Sequence, residues 1–324
     1  MEPAPPVAEQ LTSTEPYRPS VAPGERRRPT VSASEPPPRP EPTGEPLLRA
    51  VSDLHVSHRG NQEIVDAVSP GHPGDWLIVA GDVADKTDDV VRTLAQLRDR
   101  FAEVIWVTGN HELWSRAKDP ERLRGVPRYE RLVAECRRIG VHTPEDPWPI
   151  WTGHGGPVRV APLFLLYDYT FRAPGTTTKD ESLAYARRTG VVCTDEYLLH
   201  PDPFESREQW CHARVASTAR RLADEADAQV PYVLINHWPL VREPTRVLRY
   251  PEFAQWCGTE LTADWHVRFP TAAMVYGHLH IPRSTVYDGV PFEEVSLGYP
   301  REWRKRGLPA VLAREVPLRT PVPG

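Results

Sequence analysis

Short apolar runs that each end in a polar turn recur along this chain. The runs are rich in β-branched residues, and they lie in the segments LLRAVSDLH, DWLIVAGD, EVIWVTGNH, YVLINH and AAMVYGHLH. Continuous apolar runs of this length are typical of strands that are buried on both faces of a parallel sheet. Aspartate, asparagine or histidine follows each run. We therefore expect these polar residues to lie in loops at the ends of strands.

Segments whose apolar residues have helical spacing lie between several of these runs. One example contains Val90, Val91, Leu94 and Leu97. The predicted helices span residues 61–68, 88–101, 121–139, 183–188 and 206–226. Alternating strands and helices predict βαβ crossovers and a mainly parallel sheet with helices on its faces. Short strands are predicted at 158–167, 231–236, 272–276, 284–287 and 292–296. These short strands indicate a more antiparallel second half.

Five motifs carry the polar residues. They are Asp53-Leu54-His55, Gly81-Asp82-Val83-Ala84-Asp85, Gly109-Asn110-His111-Glu112, Asn236-His237 and Gly277-His278-Leu279-His280. Carboxylate, amide and imidazole groups are ligands that divalent and trivalent metal ions accept, and the two oxygens of one carboxylate can bridge two ions. Asp82 is our candidate for the bridge. In this order, from residue 53 to residue 280, the motifs resemble the calcineurin-like metallophosphoesterases.

The resemblance implies an α/β fold, a four-layer α/β/β/α sandwich of mixed sheets with a dinuclear metal site at strand ends. One ion would be held by Asp53, His55, Asp82 and His280. The second ion would be held by Asp82, Asn110, His237 and His278. The resemblance places His111 opposite the leaving-group oxygen as a general acid, and Glu112 beside it as a residue that tunes it.

The implied chemistry is hydrolysis of a phosphoric ester by a hydroxide that bridges two ions about 3.5–4 Å apart. Such ligands suit Mn, Fe or Zn. The chain reads GDVADKT where serine/threonine protein phosphatases of this superfamily carry GDxVDRG, which disfavours a protein phosphatase. The motifs look closest to the branch that contains class III cyclic nucleotide phosphodiesterases.

We therefore expect a small-molecule organic phosphate as substrate, with a phosphodiester favoured over a phosphomonoester. Candidate substrate-binding residues are Arg301, Arg172, His58 and Asn61. Two alternatives are a nuclease of the same fold and a non-catalytic metal-binding scaffold. All the implied ligands are present together with His111, which disfavours the scaffold.

Composition disfavours several partners. The 324 residues carry a formal net charge of -5 and have a mean hydropathy of -0.50. The chain has no apolar run long enough to span a bilayer, so no membrane partner is expected. An acidic balance gives no general attraction for nucleic acid. Four widely spaced cysteines match no metal clip, and they are consistent with a reducing cytoplasm.

Proline content sets the domain boundaries. Residues 1–46 hold thirteen prolines and few large apolar side chains, which predicts a disordered tail whose protein partner is unknown. The enzyme domain is predicted at 47–316, and residues 317–324 are expected to fray. Within the domain, the polar and aromatic segment 172–212 is a candidate cap insertion over the metal site.

Overall fold

The structure of this protein is a computed structural model that describes residues 44–119, 121–309 and 311–318. The predicted tail at 1–46 and the fraying end at 317–324 therefore lie largely outside the described residues. The strands are β1 (Leu48–Val51), β2 (Trp76–Val79), β3 (Glu103–Trp106), β4 (Ile150–Trp151), β5 (Val158–Pro162), β6 (Tyr232–Ile235), β7 (Thr271–Tyr276), β8 (Arg283–Tyr287), β9 (Val290–Glu294) and β10 (Arg314–Glu315).

Helices connect most of these strands. They are α1 (Asn61–Asp66), α2 (Thr87–Arg98), α3 (Asn110–Leu113), α4 (Gly125–Arg138), α5 (Lys179–Arg188), α6 (Asp195–Leu198), α7 (Arg207–Asp224), α8 (Trp265–Arg268) and α9 (Pro300–Arg306). Three 3₁₀ turns lie between β6 and α8, at Glu243–Val247, Pro251–Trp256 and Glu260–Thr262. In the part of the chain that is described, no helix combines the length and hydrophobicity needed to cross a bilayer.

Two mixed sheets form the centre of the molecule. The first has the strand order β10-β1-β2-β3, with β1, β2 and β3 parallel and β10 antiparallel. The second has the order β4-β5-β6-β7-β9-β8, in which β5, β6, β7 and β9 are parallel and the two edge strands are antiparallel. A bridge between Ser52 and Ser296 joins the two sheets just beyond β1 and β9.

The buried side chains fall into three clusters that correspond to the spaces between layers. Ala50, Ile78 and Ile105 of the first sheet pack with Val233 and Val275 of the second sheet. A second cluster fills the space between the first sheet and helices α2 and α4. A third lies between the second sheet and α7. The predicted order of layers, helix, sheet, sheet and helix, is thus confirmed.

The expectation of a more antiparallel second half is met only at β4 and β8, because β5, β6, β7 and β9 are parallel. Helix α7 connects β5 to β6 and α8 precedes β7, so each crossover returns the chain to the same end of the sheet and makes the strands parallel. The strand predicted at 158–167 ends at Pro162, and Leu166 has a left-handed φ of 62°. The helix predicted at 121–139 begins only at Gly125, after Arg122 has taken a φ of 52°.

Candidate metal centre and active site

Left-handed backbone marks the loops that follow the central strands. The φ angles of Asp53, His55, Asp82, His278 and His280 are 53°, 40°, 54°, 69° and 55°. Such angles are uncommon for residues with a Cβ, and they persist only where the surroundings fix them. All five residues follow β1, β2 or β7, whose carboxyl ends meet at one edge of the two sheets. The turns bring the side chains back over that edge.

The side chains of Asp53, His55 and His280 form a first group, in which nitrogen and oxygen atoms lie close to one another. The Nε2 atoms of His55 and His280 are 3.1 Å apart, and His280 Nε2 is 2.9 Å from Asp53 Oδ1. His55 Nε2 is 3.8 Å from Asp53 Oδ1 and 3.8 Å from Asp82 Oδ2. Atoms bound to one ion at about 2.0–2.2 Å lie about 3 Å from one another. The spacing of this group fits a metal ion.

A second group lies on the other side of Asp82. His237 Nε2 is 3.4 Å from Asp82 Oδ2, 3.2 Å from Asn110 Oδ1 and 3.2 Å from His278 Nδ1. His278 is buried, and burial lowers the pKa of its imidazole to about 3, which leaves the ring neutral at neutral pH. Neutral imidazole and amide oxygen are metal ligands. This spacing also fits a metal ion.

Hydrogen bonds on the outer side of each group fix which atoms face inward. His280 Nδ1 bonds to Glu302 Oε2 at 2.7 Å, and His237 Nδ1 donates to the Ala80 carbonyl at 2.8 Å. The Asn110 amide nitrogen donates to Asp195 Oδ1 at 2.9 Å, so its oxygen points toward His237. Outer partners of this kind orient the ligands in metal sites. The arrangement directs nitrogen and oxygen lone pairs toward two shared points.

The buried carboxylates require positive charge. Burial acts to lower the pKa of His237, but the carboxylates of Asp82 and Asp53 raise it to about 9. Burial likewise opposes ionisation of Asp82, yet His237 and His111 hold the pKa of that carboxyl well below its usual value. Metal ions supply the same charge, and their binding releases such protons. The buried carboxylates at this edge of the sheets are therefore suited to binding cations.

The His111 ring is held next to both groups. Its Nδ1 lies 2.8 Å from Asp85 Oδ1, its ring packs against Trp114 with centroids 3.6 Å apart, and its Nε2 is 3.8 Å from Asp82 Oδ2. The Tyr299 hydroxyl is 3.2 Å from the same Nε2. Burial acts to lower the pKa of His111, but the carboxylates of Asp82 and Asp85 raise it above its usual value. These contacts orient Nε2 toward Asp82 Oδ2 and the Tyr299 hydroxyl.

The Glu112 carboxylate does not contact the His111 imidazole. It accepts hydrogen bonds from backbone amides instead. The amides of Asp82, Val83 and Gly109 donate to it at 3.1, 2.8 and 2.9 Å. Burial and the charge of Asp82 raise the pKa of Glu112 to about 7. Glu112 therefore ties the loop after β2 to the loop after β3. The carboxylate that contacts His111 is Asp85, four positions after Gly81 in the second motif.

The four predicted substrate residues occupy different places. His58 lies with its ring centroid 5.0 Å from that of Tyr299, and Arg301 is exposed with its guanidinium carbon 5.3 Å from the Tyr299 ring. Asn61 is buried and donates to the carbonyls of Leu54 and Gly298, so its contacts are structural. The Arg172 carbonyl accepts a hydrogen bond from the side chain of Arg242.

Sequence reasoning assigned no role to three residues that contact the site: Asp195, Tyr299 and Glu302. Asp195 accepts hydrogen bonds from Asn110, Trp114 and Tyr167, and it lies within the segment 172–212 that was predicted as a cap. The Tyr299 ring stacks on His55 with centroids 4.4 Å apart. No metal-ligand motif contains these residues. Tyr299 and Glu302 flank Arg301, which the sequence did single out as a candidate substrate-binding residue.

Comparison with known proteins agrees with this fold and site. The calcineurin-like phosphoesterase family model matches residues 48–282, which is most of the chain. The [acyl-carrier-protein] phosphodiesterase PptH of Mycobacterium tuberculosis is 53% identical over 280 residues, which cover 86% of each chain. The crystal structure of phosphopantetheinyl hydrolase (PptH) from Mycobacterium tuberculosis superposes with a TM-score of 0.81 and 53% identity, covering 86% of this chain and 98% of that one.

The fold and the clustered side chains are those of a metal-dependent phosphoesterase. The chain belongs to the calcineurin-like phosphoesterase family. The predictions of family, fold class and hydrolase activity on phosphoric esters are therefore confirmed. Clusters of potential metal ligands, Asp53 with His55 and His280 and Asp82 with His237 among them, support divalent metal ions as cofactors.

Proposed function

We propose that this protein uses two metal ions to hydrolyse the phosphodiester that joins phosphopantetheine to a serine of an acyl-carrier protein. The observation that carries the proposal is the pair of ligand groups on either side of Asp82. Each group contains inward nitrogen and oxygen atoms 2.9–3.2 Å apart. The name of the PptH relative, which is 53% identical, supports the substrate. The proposal replaces the predicted free small molecule with a phosphopantetheine that is bound to a protein.

Seven side chains would hold the ions. Asp53, His55 and His280 would bind one ion, Asn110, His237 and His278 would bind the other, and Asp82 would bridge them. This donor set suits Mn, Fe or Zn. When bound, the ions supply Lewis-acid activation of water and neutralise the phosphoryl oxygens.

The His111 imidazole provides the proton transfer. Hydrolysis forms a bond between a water oxygen and phosphorus, and it breaks the bond between phosphorus and the serine oxygen. The departing serine oxygen is strongly basic and takes up a proton as it leaves. His111 Nε2 lies 3.8 Å from Asp82 Oδ2, and Asp85 holds Nδ1 at 2.8 Å. His111 therefore donates the proton to serine, and the Asp85 carboxylate beside Nδ1 contributes to raising the pKa of His111 above its usual value.

Glu112 and Asp195 act through the residues that they contact. Glu112 binds three backbone amides and fixes the loops that carry Asp82 and Asn110. Asp195 accepts the Asn110 amide and the Trp114 indole, so it sets the orientation of one proposed ligand and of the ring beneath His111. Both are positioning residues in this proposal.

We also propose that segment 172–212 limits access to the site, as its composition predicted. Its residue Tyr197 is 68% exposed, and its residue Asp195 is bonded to Asn110. A deletion of the segment would remove Asp195 and disturb the metal centre. Tyr197→Ala is the cleaner test. We expect it to change turnover of the carrier-bound substrate more than turnover of a small diester.

The proposed reaction is tested by incubating a holo-acyl-carrier protein with Mn²⁺-loaded protein and measuring the intact mass of the carrier. We expect loss of the phosphopantetheine group, with the phosphate released on the pantetheine product. Chelator-stripped protein and Asp82→Ala are the controls. Hydrolysis of bis-p-nitrophenyl phosphate without any change in the carrier would overturn the substrate and leave the phosphodiesterase chemistry intact.

A further inference from the structure

Helix α9 begins at the rim of the site and is fixed there by four inward contacts. The Tyr299 ring, which precedes the helix, stacks on His55. Glu302 bonds to His280, and the Trp303 indole donates to Asn61 Oδ1 at 2.9 Å. Arg306 donates to the carbonyls of Ser296 and Leu297. These contacts leave the opposite side of the helix facing solvent.

That outer side is basic. Arg301, Arg304 and Lys305 are exposed, and their spacing of three and four residues places them on one face of the helix. Arg59 is exposed on the neighbouring turn, where a Cβ on Gly60 would lie 3.6 Å from the Arg304 guanidinium. We name the surface formed by Arg59, Arg301, Arg304 and Lys305 the α9 basic face.

In the described part of the chain, three of the four cations of this face have no carboxylate beside them, and Arg301 is the exception. Glu302, the one acidic residue of α9, is bonded to His280, and its other oxygen is 3.8 Å from Arg301. Among the described residues, no carboxylate lies within 4.0 Å of the charged groups of Arg59, Arg304 or Lys305. The whole chain carries a formal net charge of -5, so the face has the opposite sign to the chain average.

The leaving group determines which side of the metal centre the carrier protein occupies. In the proposed reaction the departing oxygen belongs to a serine of the carrier, so the carrier surface must approach His111 closely. The Tyr299 hydroxyl is 3.2 Å from His111 Nε2, and α9 starts at the next residue. A protein whose serine reaches His111 therefore lies beside α9.

We infer that an acidic surface of the acyl-carrier protein docks on the α9 basic face. The inference rests on the proposed function and deepens it by naming the surface that recognises the protein part of the substrate. Charges of one sign at the rim of a site attract and orient a partner of the opposite sign. Lys305 lies about 9 Å along the helix from Tyr299, at about 1.5 Å per residue. A small diester bound at the metal centre does not extend that far.

The test compares two substrates in one variant, Arg304→Glu/Lys305→Glu. We expect kcat/KM for a holo-acyl-carrier protein to fall by about tenfold or more, mainly through KM, because like charges now face each other. Turnover of bis-p-nitrophenyl phosphate should change less than about twofold, which also shows that the variant is folded. Raising the salt concentration should weaken the wild-type reaction on the carrier and leave the small diester unaffected.

The matched control is Arg220→Glu/Arg268→Glu, which changes the net charge by the same amount. Arg220 in α7 and Arg268 in α8 are exposed, and their helices lead into the amino ends of β6 and β7, opposite the site. This variant should hydrolyse both substrates at wild-type rates. Binding of a fluorescently labelled apo-acyl-carrier protein, measured by anisotropy without turnover, should weaken in the α9 variant and not in the control.

Each other outcome overturns the inference in a distinguishable way. Equal carrier turnover and binding by wild type and the α9 variant would mean that the carrier docks elsewhere, and the proposed function would stand. Equal loss of both substrates would mean that α9 supports the site rather than the carrier. If wild type cleaves the small diester but neither binds nor cleaves the carrier, the proposed substrate fails as well. If single-stranded DNA, and not the carrier protein, competed for binding to the α9 basic face, the face would be assigned to nucleic acid.

Discussion

Strand β2 has a buried aspartate at each end, and the two aspartates have opposite surroundings. Asp75, directly before the strand, accepts hydrogen bonds from Arg49 Nε at 2.7 Å and from the amides of Leu47 and Gly71 at 2.8 and 2.9 Å. Asp82, beyond the other end, accepts one amide on Oδ1, while its Oδ2 faces His237 at 3.4 Å and two further imidazoles at 3.8 Å.

The difference separates a structural carboxylate from a proposed metal ligand. A buried carboxylate that is surrounded by donors from fixed groups is already stabilised. The inner oxygen of Asp82 instead faces three imidazoles, and among them His237 is turned toward it by the hydrogen bond from its Nδ1 to the Ala80 carbonyl. Such an arrangement is complete only when a cation is present. Burial alone therefore does not distinguish the two aspartates, whereas the identity of the neighbouring atoms does.

The Asp82→Ala variant gives the strongest test of the difference between Asp75 and Asp82. We expect both ligand groups to lose their ions because the residue that joins them is gone, and turnover to fall by more than about 10³-fold, beyond the 10–100-fold cost of losing an outer partner. Metal content by inductively coupled plasma mass spectrometry and hydrolysis of bis-p-nitrophenyl phosphate measure the two effects. A variant that retained two ions per chain would show that Asp82 is not the bridge.

A second variant, His111→Ala, separates chemistry from metal binding. We expect it to keep its metal content and to lose about 10²–10⁴-fold in turnover of the carrier-bound diester, whose serine leaving group needs a proton. The loss on bis-p-nitrophenyl phosphate should be smaller, since p-nitrophenolate leaves without protonation. Equal metal loss in this variant and in Asp82→Ala would remove the general-acid assignment.

A change in the hydrogen-bond partner of a proposed ligand should have a smaller effect than the two preceding substitutions. Glu302→Gln keeps an acceptor for His280 Nδ1 but removes the negative charge that lies 2.7 Å from it. We expect metal affinity to fall by about tenfold, because a carboxylate partner increases the basicity of a ligating imidazole. Competition with a fluorescent chelator measures the affinity directly. Unchanged affinity would show that the Glu302 charge does not act on the metal centre.

At the other end of β2, Asp75→Asn should affect stability and leave metal binding intact. We expect the free energy of unfolding at pH 7 to fall by about 2 kcal/mol, the usual scale for hydrogen bonds to a charged group. Burial acts to raise the pKa of Asp75, but the hydrogen bonds from Arg49 and the backbone amides lower it below its usual value.

The sign of the pH dependence follows from that lowered pKa. Asp75 stabilises the folded state fully above the pKa of the unfolded chain, near 3.9, and this contribution is lost as the pH falls through the lower folded pKa. The stability difference between wild type and Asp75→Asn should therefore be constant above about pH 5 and shrink in acid. Urea unfolding at several pH values measures it, and a difference that grew in acid would contradict the account.

The sequence predicted the parts of the site that short motifs encode. Asp53, Asp82 and His237 each follow an apolar strand directly, and parallel strands with their helices bring such loops to one edge. The positions of Asp195 and Tyr299 depend on how α6 and α9 pack against the sheets, which no local pattern specifies. The antiparallel expectation failed for β5, β6 and β7 because strands of four to six residues carry no signal of direction, which their crossovers determine.

The central claim is that two ions lie on either side of Asp82. Anomalous diffraction from a crystal of Mn²⁺-loaded protein, recorded above and below the manganese absorption edge, tests it directly. We predict two peaks about 3.5–4 Å apart, one among Asp53, His55 and His280 and one among Asn110, His237 and His278. A single peak, or peaks away from Asp82 in protein that cleaves the diester, would contradict the two-metal account.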